Sequence, residues 1–186
     1  IDGFRLEEQL PSGGLSVIWQ VSRPDLTFPV ILKAPLLRHG ENPLAIVSFE
    51  TEAMILPRLS GPHVPRFIRA GDFERPYIAM ELVSGASLKN FLSSLPLNYE
   101  DIARIGAHVA AALHDTHQQN VIHLDVKPSN IILRGDDAVL IDFGFARHLH
   151  LPDLLAEEID GPIGTGPYIS PEQLEGIRDD SRSDLF

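Results

Sequence analysis

His123-Leu124-Asp125-Val126-Lys127-Pro128-Ser129-Asn130, with Asp142-Phe143-Gly144 close behind it, sets two acids, one lysine and one amide within a short stretch. These side chains suit a phosphoryl transfer. A hydroxyl attacking the terminal phosphate of a nucleotide needs a carboxylate near its proton, and the polyphosphate needs a divalent cation held by hard oxygen ligands. Asp125 fits the first requirement; Asn130 and Asp142 fit the second. An acid beside a hydrophobic strand is on its own a common turn cap, and Asp-Phe-Gly alone is a weak signal. The two patterns in this order carry the reading.

On these residues the chain resembles the eukaryotic-like (Hanks-type) Ser/Thr protein kinases, in particular their bacterial members, and the likeness runs over its whole length. The family's catalytic loop H-R-D-x-K-P-x-N is matched with Leu124 in place of Arg, and its metal-binding D-F-G is matched in full. Lys127 accompanies hydroxyl-aliphatic substrates in the family, which implies Ser/Thr rather than Tyr as acceptor. Gly164-Thr165-Gly166-Pro167-Tyr168-Ile169-Ser170-Pro171-Glu172 resembles the substrate segment G-T-x-x-Y-x-x-P-E. That segment and Lys127-Pro128 argue against a third class, small-molecule kinases of the aminoglycoside or choline type that share an H-x-D loop. The resemblance implies that Asp125 aligns and accepts from the attacking hydroxyl and that Lys127 neutralises the transferring phosphoryl group. It further implies a hydrogen bond from Thr165 near both, and ATP with Mg²⁺, or Mn²⁺ in its place, carried on Asn130 and Asp142.

The nucleotide site follows from the same likeness. Leu10-Pro11-Ser12-Gly13-Gly14-Leu15-Ser16-Val17-Ile18-Trp19 resembles the phosphate-covering loop L-G-x-G-G-x-G-x-V-Y, with Leu10, Gly13, Gly14 and Ile18 at nucleotide-facing places. Gly13 and Gly14 let backbone N–H groups approach phosphate oxygens, while Pro11 and Ser16 stand where the family has glycine. In isolation the stretch reads as a hairpin turn. Val30-Ile31-Leu32-Lys33 matches V-A-I-K, whose lysine holds phosphates and pairs with a helix glutamate, here Glu52. Ile31 replaces the usual small residue against the adenine and narrows that pocket. Met80 falls at the gatekeeper place, with backbone groups of Glu81 and Val83 toward the adenine edge.

At 186 residues, 44% hydrophobic and 22% charged, the chain is an ordinary globular sequence with enough apolar content for a core. A net charge of −11 without a basic run leaves no electrostatic footprint for nucleic acid, so none is expected as a partner. The absence of cysteine excludes disulfides and cysteine-ligated metal and agrees with a cytoplasmic setting. No apolar run approaches the ~18 residues of a membrane span. The histidines show no metal-ligand spacing. His123 reads as a packed scaffold residue, stacked with Phe143 and Leu56.

Strands are predicted over Phe4 to Leu10, Ser16 to Ser22, Pro29 to Lys33, Phe67 to Phe73 and Tyr77 to Leu82. A helix starts at Asn42-Pro43 with Ile46, Phe49, Ala53 and Leu56 on its buried face; Glu52 borders that face and Glu50 does not. Ser87 caps a short helix. Asn98 and Asp101 resemble a capping box before a longer helix whose apolar stripe is Ile102, Ile105, Val109 and Leu113. Ile131 to Leu133 and Ala138 to Ile141 form a hairpin flanked by Asn130 and Asp142. The fold class is therefore α+β, a two-lobed protein-kinase-like fold. Residues 1–82 are a five-stranded antiparallel small lobe and 83–186 the first part of a helical large lobe. The resemblance implies a C-terminally truncated domain, because Ser183-Asp184-Leu185-Phe186 resembles the start of the family's long central helix, with Asp184 buttressing the catalytic loop.

Leu124 removes the arginine that in most relatives pairs with a phosphate on the activation segment, and no Ser, Thr or Tyr lies between Phe145 and Gly164. Switching by phosphorylation of that stretch is therefore not expected. Glu157, Glu158 and Asp160 make the stretch acidic, which reads plainly as a solvated loop and more sharply as a preference for basic residues near the target. The predicted function is transfer of the ATP γ-phosphate to a Ser/Thr hydroxyl of a protein. Pro11, Ser16, Ile31 and Leu124 support the alternative, a pseudokinase acting as a nucleotide-binding or scaffolding module.

Overall fold

A computed structural model describes residues 1–36, 43–92 and 97–186. Asn42, the expected helix-start residue, lies outside the described residues. Strands β1 (Arg5–Leu10), β2 (Ser16–Ser22) and β3 (Val30–Pro35) lead to helix α1 (Leu44–Ile55). Strands β4 (Phe67–Ala70) and β5 (Ile78–Glu81) complete an antiparallel sheet of order β1-β2-β3-β5-β4. Valine and isoleucine crowd β2 and β3, where branched side chains pack well on a pleated surface.

Register assigns the two faces of this sheet. Leu32 pairs with Ala79, and both join Phe4, Val21, Val30 and Tyr77 in a small core on one side. The Tyr77 hydroxyl donates to Asp2 at 2.5 Å and fastens the N-terminal residues there. Alternation sends Ile31 and Lys33, with their partners Met80 and Ile78, to the other side. Ile18 pairs with Lys33 and lies on that same face.

The remaining strands and helices are short apart from one. β6 (Ala86–Ser87) and α2 (Leu88–Leu92) follow the sheet, and the Ser87 hydroxyl accepts from Asn90 N at 3.2 Å, as expected of a cap. The long helix α3 (Tyr99–Gln118) starts at Asn98, whose side chain accepts from Asp101 N at 2.8 Å. The reciprocal half of a capping box is absent from this start. β7 (Val121–Ile122) leads into the His123 stretch, and β8 (Ile131–Arg134) and β9 (Asp137–Leu140) form the predicted hairpin. β10 (Arg147–His148) pairs with β7, and α4 (Leu154–Glu158) and α5 (Pro171–Leu174) follow.

One core spans both halves. Phe49, Ile55 and Leu56 meet Ile78 and Met80 of the sheet, Ala112 and Leu113 of α3, and Ile131, Leu140 and Phe143 around the hairpin. Each fully buried side chain of this size contributes about 1.5–3 kcal/mol. Among the described residues no helix is long and apolar enough to cross a membrane.

Three sequence expectations need correction. Ile46 is exposed, because α1 is covered on several sides and its Val47 instead packs with Leu155 and Ile163. Ile102 is also exposed; only Ile105 and Leu113 of that stripe are fully buried. β4 stops at Ala70, because after Gly71 the chain turns back, with Arg75 N donating to Asp72 Oδ1 at 2.9 Å, and leaves Phe73 in solvent. The last described element, Ser181–Leu185, is a 3₁₀ turn.

Candidate active site

The catalytic-loop stretch leaves β7 through an unfavourable conformation. Leu124 has φ +58°, where a side chain crowds its own backbone at a cost of about 1–2 kcal/mol. The Asp184 carboxylate offsets this by accepting from His123 N at 2.8 Å and Leu124 N at 2.7 Å, and His117 Nε2 donates to it at 2.8 Å. Gln173 Nε2 donates to the Leu124 carbonyl at 2.9 Å, so the strained residue is held from both sides. His123 is fully buried with its ring 4.9 Å from that of Phe143. Its Nε2 donates to the Ile141 carbonyl at 3.0 Å and its Nδ1 accepts from Asp125 N at 3.3 Å. Both ring nitrogens are thus used in scaffolding.

Asp125 is the hub. Its Oδ1 accepts from the Thr165 hydroxyl at 2.6 Å, and its Oδ2 accepts from Lys127 Nζ at 2.7 Å and Asn130 Nδ2 at 3.0 Å. Lys127 Nζ also donates to Thr165 Oγ1 at 2.7 Å, closing a ring across segments far apart in sequence. A carboxylate this buried is tolerated because an ammonium and two neutral donors satisfy it. Beside Lys127 and Thr165 opens a cleft of about 540 Å³, flanked by Lys89, Leu92, Pro128 and Tyr168.

The second charged group joins three elements. Lys33 Nζ on β3 lies 2.5 Å from Glu52 Oε2 on α1 and 2.7 Å from Asp142 Oδ1. Burial alone drives the Lys33 ammonium toward its neutral form, but the two carboxylates against it hold its pKa above the ordinary lysine value. Burial also keeps Glu52 above the usual carboxylate range despite Lys33. Asp142 feels burial in the same sense, yet Lys33 holds it below that range. Asp142 has φ +65°, and its side chain is 47% exposed. Glu52 Oε1 accepts from Phe143 N at 3.3 Å, tying α1 to the Asp-Phe-Gly turn.

Asn130 and Asp142 leave the β8–β9 hairpin side by side. Ile131 pairs with Leu140, and Ile141 N donates to the Asn130 carbonyl at 3.0 Å. The structure thus brings Asp125, Lys127, Asn130 and Thr165 into one cluster, and Lys33, Glu52 and Asp142 into another. Of the nucleotide-facing expectations, Ile18, Ile31 and Met80 share the Lys33 face of the sheet. Leu10 pairs with Ile18 at the end of β1, and Gly13 and Gly14 sit at the open tip with free space around them. The Glu81 N–H donates to Arg66 O at 2.9 Å and its carboxylate meets Arg134 at 3.0 Å. Val83 follows without a backbone partner among the described residues.

Sequence reasoning anticipated Asp184 but missed Gln173, His117, Asp153 and Arg178. Ser170 and Gln173 form a full capping box at α5, and that spacing is readable in the sequence. What it does not reveal is that the Gln173 amide also reaches Leu124 and Ile163. The Arg178–Asp153 pair joins residues distant in sequence and leaves no local signal.

A sheet-based lobe and a helical one, packed on one core with lysine–carboxylate clusters at their junction, define a two-lobed kinase-like fold. Residues 4–186 match the protein kinase domain, and the chain belongs to that family. It is 34% identical to the serine/threonine-protein kinase pkn3 of Myxococcus xanthus, over 98% of this chain and 35% of that protein. It is 33% identical to the serine/threonine-protein kinase PknJ of Mycobacterium tuberculosis, over 99% of this chain and 32% of that protein. With the serine/threonine-protein kinase PknB of Mycobacterium leprae the identity is 32%, over 100% of this chain and 31% of that protein. The chain thus spans about a third of the length of these curated relatives.

Proposed function

We propose that this chain carries the reaction centre of a protein serine/threonine kinase, moving the terminal phosphate of ATP to a Ser or Thr hydroxyl of a protein. Residues 1–82 act as the small lobe and 83–186 as the first part of the large lobe. The observation that carries the reading is the Asp125 carboxylate, which already accepts an aliphatic O–H, that of Thr165, on one oxygen and the Lys127 ammonium on the other. An incoming substrate hydroxyl asks the same of it. ATP as donor and the absence of cysteine suit a cytoplasmic site of action.

The donor set fits a hard divalent cation. Asp142 supplies a partly exposed carboxylate at one end of the β8–β9 hairpin whose other end carries the Asn130 amide, and Mg²⁺ is characteristically held by one or two such groups together with substrate phosphates. Asn130 and Asp142 are the residues that hold it, with Mn²⁺ an acceptable substitute. When bound it neutralises charge on the polyphosphate oxygens. Lys33, kept protonated by Glu52 and Asp142, binds and orients phosphate. Leu10, Ile18, Ile31 and Met80 enclose the base, Glu81 and Val83 offer it backbone groups, and Gly13 and Gly14 cover the phosphates. Asp125 orients the hydroxyl and receives its proton, Lys127 offsets charge on the moving phosphoryl group, and Thr165 fixes both. The cleft beside Lys127 and Thr165 leaves room for the acceptor peptide.

Incubating the full-length protein with labelled ATP, Mg²⁺ and a Ser/Thr peptide pool tests this. Labelled peptide is expected from the wild type, with Asp125→Asn slower by about 10²–10⁴-fold and Asp142→Ala inactive. Nucleotide binding by the wild type without any transfer would mean a pseudokinase and end the proposal.

A further inference from the structure

The stretch from Phe145 to Gly164 connects the Asp142 turn to Thr165 and contains no Ser, Thr or Tyr. No phosphate ester can form on it, so an anion of its own that fixes its position is a carboxylate. Asp153 occupies that role in the structure. Its Oδ2 accepts from Arg178 Nε at 2.9 Å and lies 3.4 Å from Arg147 Nε, while its Oδ1 accepts from Ala156 N at 3.4 Å and starts α4. The side chains are largely out of solvent: 8% exposed for Arg178, 16% for Asp153 and 19% for Arg147. Two guanidinium groups thus share one carboxylate, and Arg178 Nη1 is buried without a partner among the described residues. Among the described residues Asp153 is the carboxylate within ion-pair distance of either guanidinium.

The same cluster touches the start of the stretch, and a neighbouring residue holds its end. Arg178 Nη2 donates to the Phe145 carbonyl at 3.1 Å, directly after Asp142-Phe143-Gly144. Arg178 follows α5, where Gln173 holds the carbonyls of Leu124 and Ile163. Between these anchors α4 buries Leu155 against Val47 and Ile163, and Ile163 stands two residues before Thr165. We propose that Asp153 and Arg178 are positioning residues, a permanent internal clamp that sets where this stretch delivers Thr165 to Asp125 and Lys127 without any covalent modification. The inference rests on the phosphoryl transfer proposed above.

The test uses the full-length protein with Asp153→Asn, which keeps a capping side chain and removes only the charge, with Arg178→Gln, and with both together. Each single variant is expected to lower kcat by about 10–100-fold through misplacement of Thr165. The KM for ATP stays within about twofold, because Lys33 and Glu52 are held independently. The double variant falls no further than the worse single one, as for two halves of one interaction. Arg178→Lys, which keeps the charge but lacks the fork that reaches Asp153 and Phe145 together, lies in between. Hydrogen exchange of the amides from 145 to 163 is expected to quicken in both single variants. Wild-type kcat per nucleotide-binding site in the single variants overturns the clamp, and so does unchanged exchange in that stretch. A wild type that binds ATP yet transfers nothing refutes the proposed function instead, and the exchange comparison then decides the clamp by itself.

Discussion

Leu124 illustrates how one residue answers to two demands. The resemblance presents it as a lost arginine; the structure shows it 2% exposed with its backbone in the left-handed region. An arginine buried there would need an anion, whereas leucine needs only packing. Its conformation is maintained by Asp184 and Gln173, neither adjacent in sequence. Tyr77 offers a separate test at this scale. Burial first, and then its hydrogen bond to Asp2, push the phenol up to about 12, against an ordinary value of about 10. The folded state therefore holds this proton more tightly than the unfolded chain. The stabilisation is complete below about pH 10 and is lost as pH rises through the folded value. Denaturant unfolding is expected to show the wild type losing stability relative to Tyr77→Phe over that interval; parallel pH profiles for the two proteins would contradict it.

At the scale of elements, strands were more legible than helix faces. β1, β2, β3 and β5 fall within two residues of their expected limits because alternation and turn residues are local signals. The buried face of α1 was misread at Ile46, since a helix covered by the sheet, the Phe143 turn and α4 has no single apolar stripe to detect. The chain reversals differ in what they tolerate. Gly85 has φ +128°, and a Cβ there would lie 2.1 Å from the Leu133 carbonyl oxygen, where β6 meets β8. Gly13 has nothing within 4 Å. Gly85→Ala is expected to cost about 2–3 kcal/mol from strain and displaced backbone, and Gly13→Ala to stay within about 0.5 kcal/mol. Urea unfolding followed by Trp19 fluorescence measures both, and equal costs would show that close approach does not constrain Gly85.

For the whole molecule, the Lys33–Glu52–Asp142 group couples the sheet, α1 and the hairpin that carries Asn130. Removing Lys33 leaves the Glu52 carboxylate buried without its cation, so Lys33→Met is expected to lose about 3–5 kcal/mol near neutral pH. Lys33→Met with Glu52→Gln recovers most of that loss, because the amide oxygen still accepts from Phe143 N. The pH dependence has a definite sign. Glu52 already sits above the usual carboxylate range through burial, and without Lys33 it rises further. The folded variant then takes up a proton that the unfolded chain does not, so its deficit shrinks as pH falls through the raised Glu52 value toward the ordinary carboxylate range. Unfolding free energies across that range decide the matter; a constant deficit would mean that the ion pair is not what Lys33 contributes.

The sequence alone determined the residue types of the candidate site and their order, because the proposed phosphoryl transfer restricts which groups can serve and the segments presenting them are short and local. It also determined the five-stranded sheet through alternation and turns. Only the tertiary structure decided which further distant groups hold those segments in place: Gln173 on Leu124, Asp142 on Lys33, and Arg178 on Asp153. Such pairings depend on how elements pack in three dimensions, and a buried charge or amide reveals its partner only once packing has removed water from between them.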